Sequence, residues 1–190
     1  MTRHRRRLPH LDVLGISSFV TWRLSGSLPR ERIFLPEHLT SGEAFAAWDR
    51  LLDTAQNGPA YLAQPQIASL ITDQLWHVVA RGLCCLHAYV VMPNHVHVLW
   101  TPHVALSDLI RQVKGPTACN ANKLLGRTGE PFWQQEYFDR LVRRDIEFGR
   151  IRHYIEWNPV RAALVARPED FPWSSAYVTP RRVGLSPQGA

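Results

Sequence analysis

Apolar residues in this chain form short runs that are rich in β-branched and aromatic side chains and bounded by residues that favour turns. Such runs are typical of β-strands. Only Pro93 and Asn94 separate the second run from the third, which predicts a bent hairpin or a bulge. The predicted strands cover residues 16–24, 84–92, 95–101 and 132–142.

Between the strands, apolar residues recur three or four positions apart, as they do on one face of a helix. A capping box at residues 40–43 begins a first helix, which is predicted to end near Gly58. A second helix is predicted to follow Pro65 and to end at Gly82.

Two further helices are predicted in the second half of the chain. Ser107 is expected to cap the third helix, and Pro116 is expected to kink or split it. Asp145 opens the fourth helix, and Pro159 is expected to end it or to start a new turn. The element order indicates the α+β class, an antiparallel sheet covered by helices, with a ferredoxin-like core.

The same pattern predicts one domain over residues 11–178, with a helical insertion at 26–60. Residues 1–10 are predicted to be a basic disordered arm, and residues 179–190 a flexible tail. Hydrophobic residues make up 45% and charged residues 20% of the 190, which is ordinary globular usage. We find neither a membrane-spanning run nor a secretory signal.

Charge and cysteine usage narrow the function classes. The net charge is +6 and the sequence pI about 9.7, which favours an anionic polymer such as nucleic acid as partner. A merely basic soluble protein has the same balance. The three cysteines show no CxxC spacing, which fits reduced thiols in the cytoplasm.

Candidate chemistry begins with His95 and His97 in the third predicted strand. Side chains two positions apart share a strand face, so this pair presents two imidazoles suited to a divalent metal. Tyr154 and Asn158 lie one turn apart on the fourth helix and offer a phenol and a carboxamide oxygen. Each has an alternative interpretation: decorative histidines, a core tyrosine, and an asparagine that merely precedes a helix-ending proline.

These residues resemble a known family, the single-tyrosine HUH transposases. Within it the chain is similar to the REP-associated tyrosine transposases, also called IS200-like transposases. The resemblance rests on the Pro-Asn-His-Val-His stretch at 93–97, whose last three residues are the His–hydrophobic–His motif, and on the Tyr-Ile-Glu-Trp-Asn-Pro stretch at 154–159. Flanking phrases extend it from about residue 14 to 177; they lie at 20–24, 132–134, 137–140 and 172–175.

The resemblance implies a ferredoxin-like sheet with the histidines on a central strand. It implies that His95, His97 and Asn158 hold a divalent metal, Mg²⁺ or Mn²⁺, and that Tyr154 is the nucleophile. The implied activity is cleavage and rejoining of single-stranded DNA near REP-like hairpins, through a 5′-phosphotyrosine link and a free 3′-hydroxyl. The implied setting is the cytoplasm of a bacterium, at the nucleoid, with the protein acting as a monomer or a homodimer.

Other charged residues are weaker candidates. Glu136 and Asp139 could act as a general base or support a histidine. Basic residues that could contact the DNA backbone, or simply be solvated, are Arg3, Arg5, Arg6, Arg7, Arg111, Lys114, Lys123, Arg127, Arg140, Arg143 and Arg144. Two rival functions remain open, a noncatalytic nucleic-acid-binding protein and a metal-dependent nuclease that uses water while Tyr154 is structural.

Overall fold

Four strands form one antiparallel sheet, in which β3 and β1 are central and β2 and β4 lie at the edges. The structure, a computed structural model, describes residues 13–28 and 58–178. The strands are β1 (Ser18–Arg23), β2 (Cys84–Val91), β3 (His95–Pro102) and β4 (Phe138–Leu141). The helices are α1 (Pro65–Ala80), α2 (Leu106–Leu124) and α3 (Asp145–Arg161), with 3₁₀ turns at Tyr61–Ala63 and Pro168–Asp170.

The connections follow the ferredoxin-like pattern. Helix α1 joins β1 to β2, a tight hairpin joins β2 to β3, and α2 joins β3 to β4. In the sheet the order is β2-β3-β1-β4, with every neighbouring pair antiparallel. The α+β prediction, with the two histidines on a central strand, is therefore confirmed.

The two faces of the sheet bury different cores. Because side chains alternate along a strand, Val20 and Trp22 of β1 face a large core that also holds residues of α1 and α2. Phe19 of β1 and Leu99 of β3 face the other side, where Ile155 of α3 packs on them. Helix α3 thus covers the sheet face that carries the smaller core and the two histidines.

A segment beyond α3 closes the β2 edge. The Val91 amide donates to the carbonyl of Trp173 at 2.8 Å, and the Ser175 amide donates to the carbonyl of Tyr89 at 2.9 Å. Ser174 forms an isolated antiparallel bridge with Val90. The bonds satisfy backbone groups that an open edge would leave exposed.

Helix α2 is not split at Pro116, and Ser107 does not cap it. The helix runs without interruption from Leu106 to Leu124, with Pro116 inside it. Its N-cap is Ala105, whose carbonyl accepts hydrogen bonds from the Asp108 and Leu109 amides at 3.0 Å each. The Ser107 hydroxyl does not cap the helix, because the chain is already helical at that residue.

The end of the domain also differs from expectation. Pro159 does not end α3, which continues to Arg161. The predicted strand over 132–142 is a strand only at Phe138–Leu141, and before it Trp133 makes an isolated bridge with Leu24. Proline can occupy a helix interior when neighbouring turns keep their bonds; here the Ala162 amide donates to the Asn158 carbonyl at 3.0 Å.

Several predictions fall on residues outside the described ranges. They are the basic arm at 1–10, the tail at 179–190, the helix that begins at the 40–43 capping box, and most of the insertion at 26–60. Among the described helices, none combines the length and the apolar character that a membrane crossing requires.

Candidate active site

His95 and His97 lie side by side in the middle of the sheet, on the face covered by α3. Both are fully buried, since β3 has a neighbouring strand on each side and helices on each face. Their ring centroids are 4.6 Å apart, and their Nε2 atoms lie 3.0 Å from each other. The strand therefore directs the same nitrogen of both imidazoles toward one point.

The other ring nitrogen of each histidine is held by a polar neighbour. His95 Nδ1 lies 2.6 Å from Oδ1 of Asn94, the residue before it. His97 Nδ1 lies 2.7 Å from Oγ1 of Thr21, its cross-strand partner on β1. Hydrogen bonds at Nδ1 fix the orientation of a histidine that binds metal through Nε2.

The geometry fits a divalent metal. Two nitrogens bound at about 2.1 Å and at a right angle to each other are about 3.0 Å apart, the separation found here. Asn158, on helix α3, is fully buried together with its side-chain oxygen Oδ1. Within the described part of the chain, no group of three or more histidine, cysteine or acidic residues is arranged so that it could hold a metal ion.

Two imidazoles and one amide oxygen leave coordination positions open, because Mg²⁺ and Mn²⁺ take six ligands. A phosphate oxygen can enter such positions. A site with this donor set would share its metal with a substrate rather than close around it.

Tyr154 packs directly on this site. Its ring centroid is 5.8 Å from that of His97 and 6.2 Å from that of Phe19, and its hydroxyl oxygen is buried. The guanidinium of Arg161, two turns further along α3, lies 4.7 Å from the ring centroid. A phenol, two converging imidazoles and a buried amide are therefore contributed by two elements far apart in sequence.

Comparison with known proteins identifies the family. Residues 61–158 match the family model described as "Transposase IS200 like". This range holds the histidine pair, Tyr154 and Asn158, and it is more than half of the chain. The chain belongs to the IS200-like transposase family. Members of this family are DNA-processing enzymes, as the sequence predicted.

One curated relative agrees with this assignment, and one solved structure shares the fold. Over 95 residues the transposase is 26% identical to the REP-associated tyrosine transposase of Escherichia coli K12, a match covering 47% of this chain and 53% of the relative. The chain therefore spans about half the length of that curated relative. A solved structure of a REP-associated tyrosine transposase bound to a REP hairpin shares the fold, with a TM-score of 0.58 at 20% identity, covering 92% of this chain and 82% of that one.

The sequence interpretation missed three residues of this transposase that surround the histidines: Asn94, Thr21 and Arg23. Arg23 is the register partner of His95, so both side chains lie on the same face of the sheet. Its Nη1 donates to Ser27 Oγ at 3.2 Å, and burial lowers its pKa from the ordinary value. The sequence signal for Thr21 and Arg23 was the presence of polar residues at alternate positions of an otherwise apolar strand.

The structure places one of the two predicted supporting acids, Asp139, away from the histidines. Asp139 is the register partner of Val20, whose side chain faces the α1 and α2 core, on the side away from the histidines. The Nδ1 positions that an acid would support are bonded to Asn94 and Thr21. The roles of Glu136 and Asp139 stay predictions.

The predicted DNA contacts divide into three groups. Arg3, Arg5, Arg6 and Arg7 lie outside the described residues. Lys123, Arg143 and Arg144 are exposed. Intramolecular bonds engage the other four: Arg111 with Asp108, Arg127 with Glu130, Arg140 with Glu147, and Lys114 with the carbonyls of Gln134 and Gln135.

Proposed function

We propose that this transposase cleaves and rejoins single-stranded DNA through a 5′-phosphotyrosine intermediate formed at Tyr154. The observation that carries the proposal is the placement of the Tyr154 ring against His97, whose Nε2 converges with that of His95. A structural tyrosine could pack on any apolar part of the sheet. A nucleophile has to lie beside the group that activates the phosphate.

His95, His97 and Asn158 would hold the divalent metal, Mg²⁺ or Mn²⁺. When bound, the metal polarises the scissile phosphate and neutralises the charge that develops there. A phenol with an ordinary pKa of about 10 is a weak nucleophile at neutral pH, so it depends on such activation of the phosphate. Arg23 and Arg161 add positive charge on the same side of the sheet as Tyr154.

The reaction balances without a further reactant. The Tyr154 hydroxyl oxygen bonds to phosphorus, and the bond between phosphorus and the 3′-oxygen breaks. The phenol loses one proton, and the departing 3′-oxygen gains one to become a 3′-hydroxyl. Because one phosphodiester replaces another, a 3′-hydroxyl can attack the tyrosyl phosphate and rejoin the strand.

For the substrate we propose single-stranded DNA that carries a REP-like hairpin, which would place the protein at the nucleoid. The fold is shared with a transposase solved with a REP hairpin, and the net charge of +6 suits a polyanion.

A covalent-adduct assay tests the mechanism. The full chain is incubated with a hairpin-bearing single strand and Mn²⁺, and denaturing gels then detect protein-linked DNA. We expect an adduct with the wild type and with the control Tyr177→Phe, and none with Tyr154→Phe. An adduct that persists in Tyr154→Phe refutes the nucleophile assignment.

Two other outcomes identify the rival functions. Cleavage without any adduct would indicate a nuclease that uses water. Binding with steep salt dependence but no cleavage, with either Mg²⁺ or Mn²⁺, would indicate a noncatalytic DNA-binding protein.

A further inference from the structure

A continuous chain of three short hydrogen bonds runs through the histidine pair. It begins at Asn94 Oδ1, passes His95 Nδ1 at 2.6 Å, crosses from His95 Nε2 to His97 Nε2 at 3.0 Å, and ends at Thr21 Oγ1, 2.7 Å from His97 Nδ1. All four residues are buried. Each bond therefore needs one donor and one acceptor, and the protons can be counted.

The count begins at Asn94. Its side-chain oxygen only accepts, so His95 must carry its proton on Nδ1, and neutral His95 then has a lone pair at Nε2. The bond between the two Nε2 atoms consequently needs the proton on Nε2 of His97. His97 Nδ1 is then the acceptor, and the Thr21 hydroxyl donates to it.

Metal binding through both Nε2 atoms requires a different proton position on His97 but not on His95. His95 already offers a lone pair. His97 has to carry its proton on Nδ1 instead, and the group facing that nitrogen has to accept. A hydroxyl both donates and accepts by rotating its hydrogen, without movement of any heavier atom.

We propose that Thr21 is a positioning residue for metal binding, which reverses its hydrogen bond to His97 from donor to acceptor while Asn94 keeps His95 in one tautomer. The inference rests on the proposed function, since it concerns the metal site of that reaction. It assigns unequal roles to the two histidines, with His95 fixed and His97 adjustable.

The surroundings of Thr21 suit this role. It lies within the central strand β1 and pairs with His97 across the strands, and it is only 7% exposed. The Phe19 ring stacks on His97 with centroids 5.7 Å apart, which holds the imidazole plane in place. The hydroxyl is therefore held at one position, and only its hydrogen is free to turn.

The test compares Thr21→Val, which keeps the side-chain shape but lacks the hydroxyl, with Thr21→Ser, which keeps the hydroxyl. Calorimetry of Mn²⁺ binding to the full chain is the first measurement. We expect Thr21→Val to weaken Mn²⁺ binding by about ten- to a hundred-fold and Thr21→Ser to stay within about threefold of wild type, as rescue by the remaining hydroxyl requires. Thr101→Val removes a hydroxyl from the same sheet, one bonded to Ser17 and His87, and is expected to bind as wild type.

Nitrogen-15 NMR of the imidazoles is the second measurement and needs no activity. In the wild type, addition of Mg²⁺ should move the His97 proton from Nε2 to Nδ1, while His95 keeps its proton on Nδ1. Circular dichroism confirms that each variant is folded.

The outcomes separate this inference from the proposed function. Wild-type Mn²⁺ binding that is unchanged in Thr21→Val, or a His97 proton on Nδ1 before Mg²⁺ is added, overturns the Thr21 role alone. A wild type that binds neither Mn²⁺ nor Mg²⁺ overturns the metal site and this inference together.

Discussion

The ammonium group of Lys114 faces protein rather than solvent, so its effect on the free energy of unfolding should depend on pH. Its Nζ donates to the carbonyls of Gln134 and Gln135 at 2.7 and 3.1 Å. The two carbonyls belong to the segment that leads into β4, and the Gln134 amide donates to the Arg23 carbonyl at 2.9 Å. Lys114 thus ties α2 to the strand that carries Thr21 and Arg23.

Burial lowers the pKa of Lys114 from 10.5 to about 8, and Glu136 opposes this shift only in part. The unfolded chain has the ordinary value, so between these two pH values the unfolded state binds more protons than the folded state. The free energy of unfolding therefore rises with pH in that window. From pH 7 to pH 10 the linkage adds roughly 2 kcal/mol, after a discount for the partly solvated side chain.

The perturbation is Lys114→Met, and the assay is urea unfolding followed by tryptophan fluorescence at pH 7, 8, 9 and 10. Groups elsewhere that titrate in this range contribute equally to both proteins and cancel in the difference. We expect the stability of wild type relative to the variant to increase by roughly 2 kcal/mol across the series.

Lys123→Met is the matched control, because it removes an exposed lysine from the same helix and should give a difference that does not change with pH. A flat difference for Lys114→Met would refute the burial argument. In that case Lys114 would remain a candidate for contact with the DNA backbone.

Three further predictions concern other buried groups. Burial raises the pKa of the Cys84 thiol to about 11, so Ellman's reagent at pH 8 should modify the other two cysteines rapidly and Cys84 only after unfolding. Gln74→Leu should lower the free energy of unfolding by about 1–3 kcal/mol, measured by urea midpoint, because the Gln112 carbonyl loses its donor. Burial and then Arg152 lower the pKa of His87 below 6.5; the wild type therefore loses stability as the pH falls through 6.5, and His87→Gln should lose less between pH 7 and pH 5.

Elements that a local pattern specifies could be predicted from sequence. The β2-β3 hairpin follows from two β-rich runs with Pro93 and Asn94 between them, and α1 follows from its apolar periodicity between Pro65 and Gly82. These signals lie within a few residues of each other. Tertiary contacts did not have to be known to interpret them.

The uninterrupted α2 helix could not be predicted in this way. Pro116 has no amide hydrogen to donate to the carbonyl of Gln112, four residues earlier, and the sequence alone leaves that carbonyl without a donor. In the structure Gln74 of α1 supplies one, with Nε2 at 2.8 Å from the Gln112 oxygen. The helix is continuous because a residue 38 positions away replaces the bond that proline removes.

The site shows the same division between local and long-range information. Alternation along one strand predicted that His95 and His97 share a face, but it could not reveal that Thr21 faces His97, because that contact joins residues 76 positions apart. A slip of one residue between β1 and β3 would move the side chains of β1 to the opposite faces of the sheet, with Thr21 and Arg23 in the large apolar core, so the pattern of polar and apolar residues excludes it.

A slip of two residues keeps the faces correct and would place Phe19 or Arg23 opposite His97. Phe19 has no polar side-chain atom, and Arg23 can donate but cannot accept, so neither could reverse its bond to His97 as the Thr21 hydroxyl can. Packing on the far face excludes that slip. Trp22 stacks on Trp100 with centroids 6.2 Å apart, and the Leu24 amide donates to the Asn94 carbonyl at 2.8 Å. The large core behind the sheet therefore determines which hydroxyl His97 meets on the face covered by α3, and substitutions in that core should affect the proposed metal site through the register of β1.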